Sequence, residues 1–247
     1  MIMHEFWTFF AFPLNLLLAL LWMTGWVWVR RRHPDCQLLR FMMSPAATIS
    51  SILLLLAVCL WIGFTGNREF VYSVPFVIIL LYLQTILFLV ILRGWRTSSG
   101  KIRWRFLLVH VGLLLALGAG FWGSADSSEV RMRIYEGETS HEAYRMDGNS
   151  SSLAYELTVL DLMTEMSEDG IPSSFKARIA VDGGDPVCIG VNHPYSVRFG
   201  ENIYLASISD NCCILQIVRE PWRHFALAGI IMLLVGAFML FIKGPKR

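Results

Sequence analysis

The feature that most constrains this chain is a set of apolar runs, each long enough to cross a bilayer and bounded by arginines or polar turns. Five stretches qualify as spans: Phe6 to Val29, Pro45 to Gly63, Val74 to Leu92, Trp104 to Trp122 and His224 to Ile242. A helix rises 1.5 Å per residue, so about 20 residues cover the roughly 30 Å hydrocarbon core. With 55% hydrophobic and 16% charged residues, the 247-residue chain belongs to the membrane class. The first run exceeds a signal-peptide core and is followed by three arginines, which predicts a retained helix.

Lys and Arg fall on alternate loops. Arg30, Arg31, Arg32 and Arg40 follow the first run, Arg93, Arg96, Lys101, Arg103 and Arg105 separate the third from the fourth, and Lys243, Lys246 and Arg247 end the chain. The second loop carries only Arg68, beside Glu69. Cytoplasmic loops are enriched in these cations, so the pattern predicts an inner (cytoplasmic) membrane protein with its N-terminus outside and its C-terminus inside. The net charge of +2 is therefore an orientation signal, and no nucleic-acid partner is expected.

Three regions follow: a membrane domain with four helices over residues 1–122, an exported β-rich domain over 123–222, and a final helix with a basic tail over 223–247. In the exported region the period changes from helical to alternating. "EVRMRIY" sets Val130, Met132 and Ile134 against Arg131 and Arg133, and "LAYELTVL" and "SFKARIAV" repeat the pattern. Further short runs lie at 186–191, 195–199, 202–208 and 212–219, while "DGNSSS", "SEDGIPSS" and "DGGDP" supply turn residues. The expectation is an antiparallel sandwich or partly open barrel, with the acidic runs "YEGETSHEAY" and "MTEMSEDG" as solvated loops.

Nothing in this domain resembles a catalytic constellation. His141 and His193 belong to no tight cluster, and "NHP" at 192–194 reads as a turn. Cys188, Cys212 and Cys213 fall in the exported domain, where an oxidising compartment permits a bridge from Cys188 to one of the pair. The vicinal pair sits in an alternating apolar run without a CxxC, which favours burial over thiol redox chemistry.

The titratable residue deep in the fourth run is His110. Counted from Trp104, it lies about 9 Å into the helix, beyond the reach of the interface for so short a side chain. An ionisable group at that depth faces protein or a cavity, as a structural histidine bonded to another helix or as a functional one. A proton relay wants further titratable groups, and the other spans offer Asn15, Tyr82 and Gln84; a metal site wants a second ligand in the chain. Haem needs one or two axial ligands and an apolar, aromatic slot, for which nine Trp and sixteen Phe give material. Gly112, Ala116 and Gly120 form a small-residue stripe for helix packing, and His110 points about 160° to 80° away from it. His224, after "REPW", lies near the other membrane face.

A helix holding one histidine in "HVGLLLALGAG", then "VRMRIYEGETS", then "VNHPYSVRFGENIYLASI", and finally "CILQIVREPWRHFALAGIIMLLVGAFMLF" resembles, in that order, the ResB (CcsB) proteins of cytochrome c biogenesis. The resemblance implies a membrane subunit that works with a CcsA-type partner to move haem outward, keep it reduced and attach it to the CxxCH thiols of apocytochrome c. It implies that His110 is an axial ligand of the iron of a haem b held transiently and shared with that partner. The soluble region is shorter than is usual in that family, and the Trp-rich loop and outer histidines of the CcsA half are absent. The expected role is therefore an accessory half with no catalytic residue of its own. The alternative is a non-catalytic assembly scaffold docking a partner through its β domain, with His110 structural. His193 and His224 receive no role.

Overall fold

The computed structural model describes residues 11–67, 70, 73–166, 172–209 and 211–243. The start of the first apolar run, Arg68 with Glu69, the reversal at 167–171, and Lys246 with Arg247 lie outside the described residues. Two compact units emerge, Met1–Ala125 with Trp222–Arg247, and Asp126–Pro221.

The first unit is helical: α1 Leu14–Arg32, α2 Gln37–Met42, α3 Pro45–Thr65, α4 Val74–Gly94, α5 Trp104–Asp126 and α6 Arg223–Lys243. Among the described residues four stretches, Pro45–Thr65, Val74–Gly94, Trp104–Gly123 and Arg223–Ile242, are long and apolar enough to cross a membrane, so the chain is built as a multi-pass membrane protein. The first of the five expected spans begins at Phe6, outside the described residues, and its described part, α1, ends on Arg30, Arg31 and Arg32.

Helix starts follow from residue chemistry. Ser44 and Ser73 cap α3 and α4 by accepting from the amides of Ala47 and Phe76, each with a proline in the first turn, where its missing N–H costs nothing. Helix α4 is the most enclosed, burying Phe76, Leu80, Ile86, Leu89 and Ile91. Its polar side chains tie three neighbours to it. Trp22 Nε1 donates to Thr85 Oγ1 at 2.8 Å, Trp122 Nε1 donates to Gln84 Oε1 at 3.0 Å, and Ser50 and Tyr82 share a bond at 3.1 Å.

Helices α5 and α6 meet backbone to backbone. A Cβ on Gly112 would lie 2.8 Å from the Gly229 carbonyl oxygen, and one on Gly229 would lie 2.7 Å from the Ala116 amide. Gly236 meets Val109 and Gly123 meets Trp222, so the two helices run antiparallel. Gly112 and Ala116 thus use the small-residue stripe, while Gly120 faces open space.

The second unit is one eight-stranded antiparallel sheet in the order β5-β4-β3-β2-β1-β8-β7-β6. Its strands are β1 Ser128–Tyr135, β2 Thr139–Arg145, β3 Ser150–Met166, β4 Pro172–Val181, β5 Val187–Gly190, β6 Tyr195–Arg198, β7 Glu201–Ser209 and β8 Cys212–Arg219. The sheet is open, with β5 and β6 as edges, and among the described residues it is the one sheet. Alternation dictates which residues point inward, and a curled single sheet and a sandwich share that pattern. The concave face buries Met132, Ile134, Leu157, Val159, Ile179, Ile189, Ile203 and Leu215.

Strand β2 corrects the loop reading of "YEGETSHEAY". Only Ala143 of β2 is buried, so it carries no apolar alternation, and its place comes from pairing with β1 and β3. All five cysteines are free. Cys188 on β5 is exposed while Cys212 and Cys213 on β8 are buried, and four strands separate β5 from β8 in the sheet, so the permitted bridge is not formed.

Candidate functional site

The loop between α4 and α5 places the site. Arg96 and Ile102 pair as an isolated bridge, and the Arg103 amide donates to the Trp95 carbonyl at 2.9 Å. The Arg103 carbonyl then accepts from Leu107 N at 2.9 Å, which sets the register of α5 from its first turn. This hairpin lays the end of α4 against the start of α5. Gly94 is the contact point: the Phe106 ring occupies the space a Cβ there would need, with Cε1 at 2.8 Å.

One turn further along, His110 stacks on Phe106 with ring centroids 4.0 Å apart and planes inclined by 26°. Its Nδ1 lies 2.9 Å from the Phe106 carbonyl oxygen. A carbonyl only accepts, so Nδ1 carries the proton and Nε2 presents its lone pair. Phe106 thus fixes the imidazole twice, by its ring and by its backbone. Among the described residues no hydrogen bond engages Nε2, and His110 is half-buried. The face it occupies is turned away from α6, which packs on Gly112 and Ala116.

The donor set limits what such an imidazole can hold. Among the described residues no group of three or more His, Cys, Asp or Glu comes together. A lone imidazole suits a metal that brings its remaining ligands with it, as haem iron does, and a fixed Nδ1–H tautomer is the arrangement seen when Nε2 ligates. The residues therefore fit haem ligation from one side.

His224 sits at the start of α6, which packs near the far end of α5 through Trp222 and Gly123. In the β unit, His193 is exposed in a turn where its carbonyl accepts from Gly190 N at 3.1 Å and its amide donates to Gly190 O at 3.0 Å. Asn192 takes a φ of 65°, as the "NHP" turn requires.

The aromatic walls expected around the imidazole are only partly there. Phe106 is local, but the main tryptophan cluster lines a separate apolar cavity of about 770 Å³ formed by α1, α4 and Trp122, with Trp22, Trp26 and Trp28 on its wall. The sequence reading missed Gly94 and Phe106 as supports. An aromatic residue four before the histidine was the visible signal, because i and i+4 share a helix face.

Among the described residues of the β unit, a buried charged cluster forms around Glu201. Glu201, 3% exposed, accepts from the Tyr155 hydroxyl at 2.7 Å and from Arg198 Nε at 2.9 Å, joining β3 to β7. Burial, then the bond to Glu201, pushes the Tyr155 phenol well above its ordinary range. Burial likewise pushes the Cys213 thiol up to about 11, which keeps it protonated and a poor nucleophile.

Comparison with known proteins finds similarity over part of the chain. Residues 101–212 match the ResB-like family. Two curated relatives, the cytochrome c biogenesis proteins CcsB of Prochlorococcus marinus strains MIT 9313 and MIT 9303, are each 30% identical over 127 residues, covering 49% of this chain. The match spans 28% of each relative's length. Among solved structures, a cytochrome c heme lyase CcmF aligns with a TM-score of 0.45 and 13% identity, over 77% of this chain and 33% of that one. The matched family segment runs from the loop before α5, through His110, to the first residue of β8, and over that segment the chain is similar to ResB-like proteins.

Proposed function

We propose that this chain is a membrane subunit of a cytochrome c biogenesis complex in which His110 Nε2 supplies one axial ligand to haem. The observation that carries the reading is the Nδ1 bond to the Phe106 carbonyl, which leaves the lone pair on Nε2 in an apolar setting. The relatives named CcsB support the process. The second axial ligand comes from a CcsA-type membrane partner, and the haem passes to apocytochrome c.

In this reading the chain's own residues bind and orient. Phe106 holds the imidazole plane, the α5–α6 contact keeps α5 rigid behind it, and the apolar flank excludes water from Nε2. Haem, when bound, supplies the cargo that becomes covalently attached to the cytochrome. The β unit lies on the outer side of the membrane and the loops carrying Arg30 to Arg32 and Arg93 to Arg105 on the inner side, in keeping with the charge asymmetry.

The test is maturation of a reporter cytochrome c in cells carrying His110→Ala. The expected outcome is loss of most covalent cytochrome c with a near-normal level of the variant chain, and partial recovery in His110→Gly when imidazole is added. Normal maturation in the alanine variant rules out the ligand role.

A further inference from the structure

We propose that Arg103 anchors a propionate carboxylate of the haem ligated by His110, so that the porphyrin sits with its acidic edge toward the basic end of α5. The inference rests on the haem reading of His110 and adds an orientation and a second contact.

Depth decides which way the acidic edge turns. His110 is six residues from the start of α5 at Trp104 and sixteen from its end at Asp126. At 1.5 Å per residue these are about 9 Å and about 24 Å. Ionised carboxylates in hydrocarbon need water or cations, and the near end alone is within reach of a porphyrin centred on Nε2. Charge points the same way. Arg103 and Arg105 stand at the near end, no acidic residue lies in the first turn, and the far end carries Asp126 and no base in its last turn.

Helical phase then selects between the two arginines. The Arg103 carbonyl already accepts the helical bond from Leu107, so its position follows the α5 register. Seven residues bring Arg103 within about 20° of the His110 direction, whereas Arg105 points about 140° away. The contacts agree: the Arg103 guanidinium lies 5.0 Å from the Phe106 ring centre, and Phe106 stacks on His110. Cation, aromatic ring and imidazole thus form one ladder along one face.

Arg103 is also equipped for a carboxylate. Its Nη1 donates to the Gly94 carbonyl at 3.3 Å, which holds the guanidinium in place while using one of five N–H donors. Among the described residues no carboxylate pairs with it. A planar fork with free donors matches a carboxylate bidentately, which lysine cannot do. An arginine serving only as an interfacial charge would be replaceable by lysine and indifferent to the ligand's acid groups.

The test titrates ferric haem and its dimethyl ester, whose propionates carry no charge, into the full chain with its CcsA-type partner in lipid nanodiscs, read by absorption. Unsubstituted protein, Arg103→Ala, Arg103→Lys and His110→Ala are compared. The expected result is that Arg103→Ala weakens haem about tenfold while leaving the ester unchanged, and that Arg103→Lys restores only part of the loss. Equal binding of haem and ester, unaffected by Arg103→Ala yet abolished by His110→Ala, overturns the anchor and leaves the ligand reading standing. Absence of any His110-dependent spectrum overturns both.

Discussion

At the residue scale, the proposed function depends on how firmly His110 is held. The imidazole has a fixed tautomer because its Nδ1 partner is a backbone carbonyl, and a fixed plane because Phe106 lies against it. Phe106 is in turn seated on Gly94, so a residue on another helix controls the imidazole's geometry. Gly94→Ala forces the ring to move. An aromatic stack is worth about 0.5–1.5 kcal/mol, which corresponds to about two- to tenfold in affinity. We expect a loss of haem affinity in that range with unchanged helical content by circular dichroism; unchanged affinity would show that the stack does not hold the imidazole. The histidine itself was legible in the sequence, because an ionisable residue in a long apolar run stands out. Gly94 was not, since its role exists only once the loop folds α4 back onto α5.

At the element scale, helices were easier to read than strands. The apolar runs place the starts of α3 to α6 within one residue and their ends within four, and the Gly112–Ala116 stripe foretold a close helix contact whose partner, α6, only the fold reveals. Strand β2 escaped because six of its seven residues remain outside the core and one inward alanine gives no period. The pairing of β3 with β7 through Tyr155 and Glu201 was equally hidden, being a contact between residues 46 apart. Tyr155→Phe leaves the buried Glu201 carboxylate short of a donor, at an expected cost of about 1–3 kcal/mol in denaturant unfolding of the β unit.

The same bond gives a pH dependence. The folded phenol titrates above its ordinary value, so its contribution is complete below about pH 10, where the unfolded phenol is also protonated, and is lost as pH rises beyond that. The decline should be shallower in Tyr155→Phe, where the part due to the buried Cys213 thiol remains. An identical alkaline profile in both proteins would contradict the assignment.

At the scale of the whole molecule, the division between a helical unit and a β unit was visible as a change of hydrophobic period near residue 123, because the two structures impose periods of 3.6 and 2. Whether the strands make one open sheet or two facing ones was not, since both satisfy the same alternation. Orientation rests on the arginine-rich loops and has a direct check in the native cysteines. Cys188 is exposed in the β unit, and Cys36 lies next to the cluster Arg30 to Arg32. A membrane-impermeant maleimide applied to spheroplasts should label Cys188 and spare Cys36; the reverse pattern would invert the topology. The match to CcsB relatives covers 28% of their length.

The central claim is that His110 ligates haem together with a second membrane protein. It is tested most directly by reduced and oxidised absorption spectra of the purified chain, alone and co-expressed with a CcsA-type partner, beside His110→Ala. The account predicts a b-type spectrum in the complex that is lost in the variant while the two proteins still co-purify. A complex that is colourless under haem-replete expression, or equally coloured in His110→Ala, would contradict it.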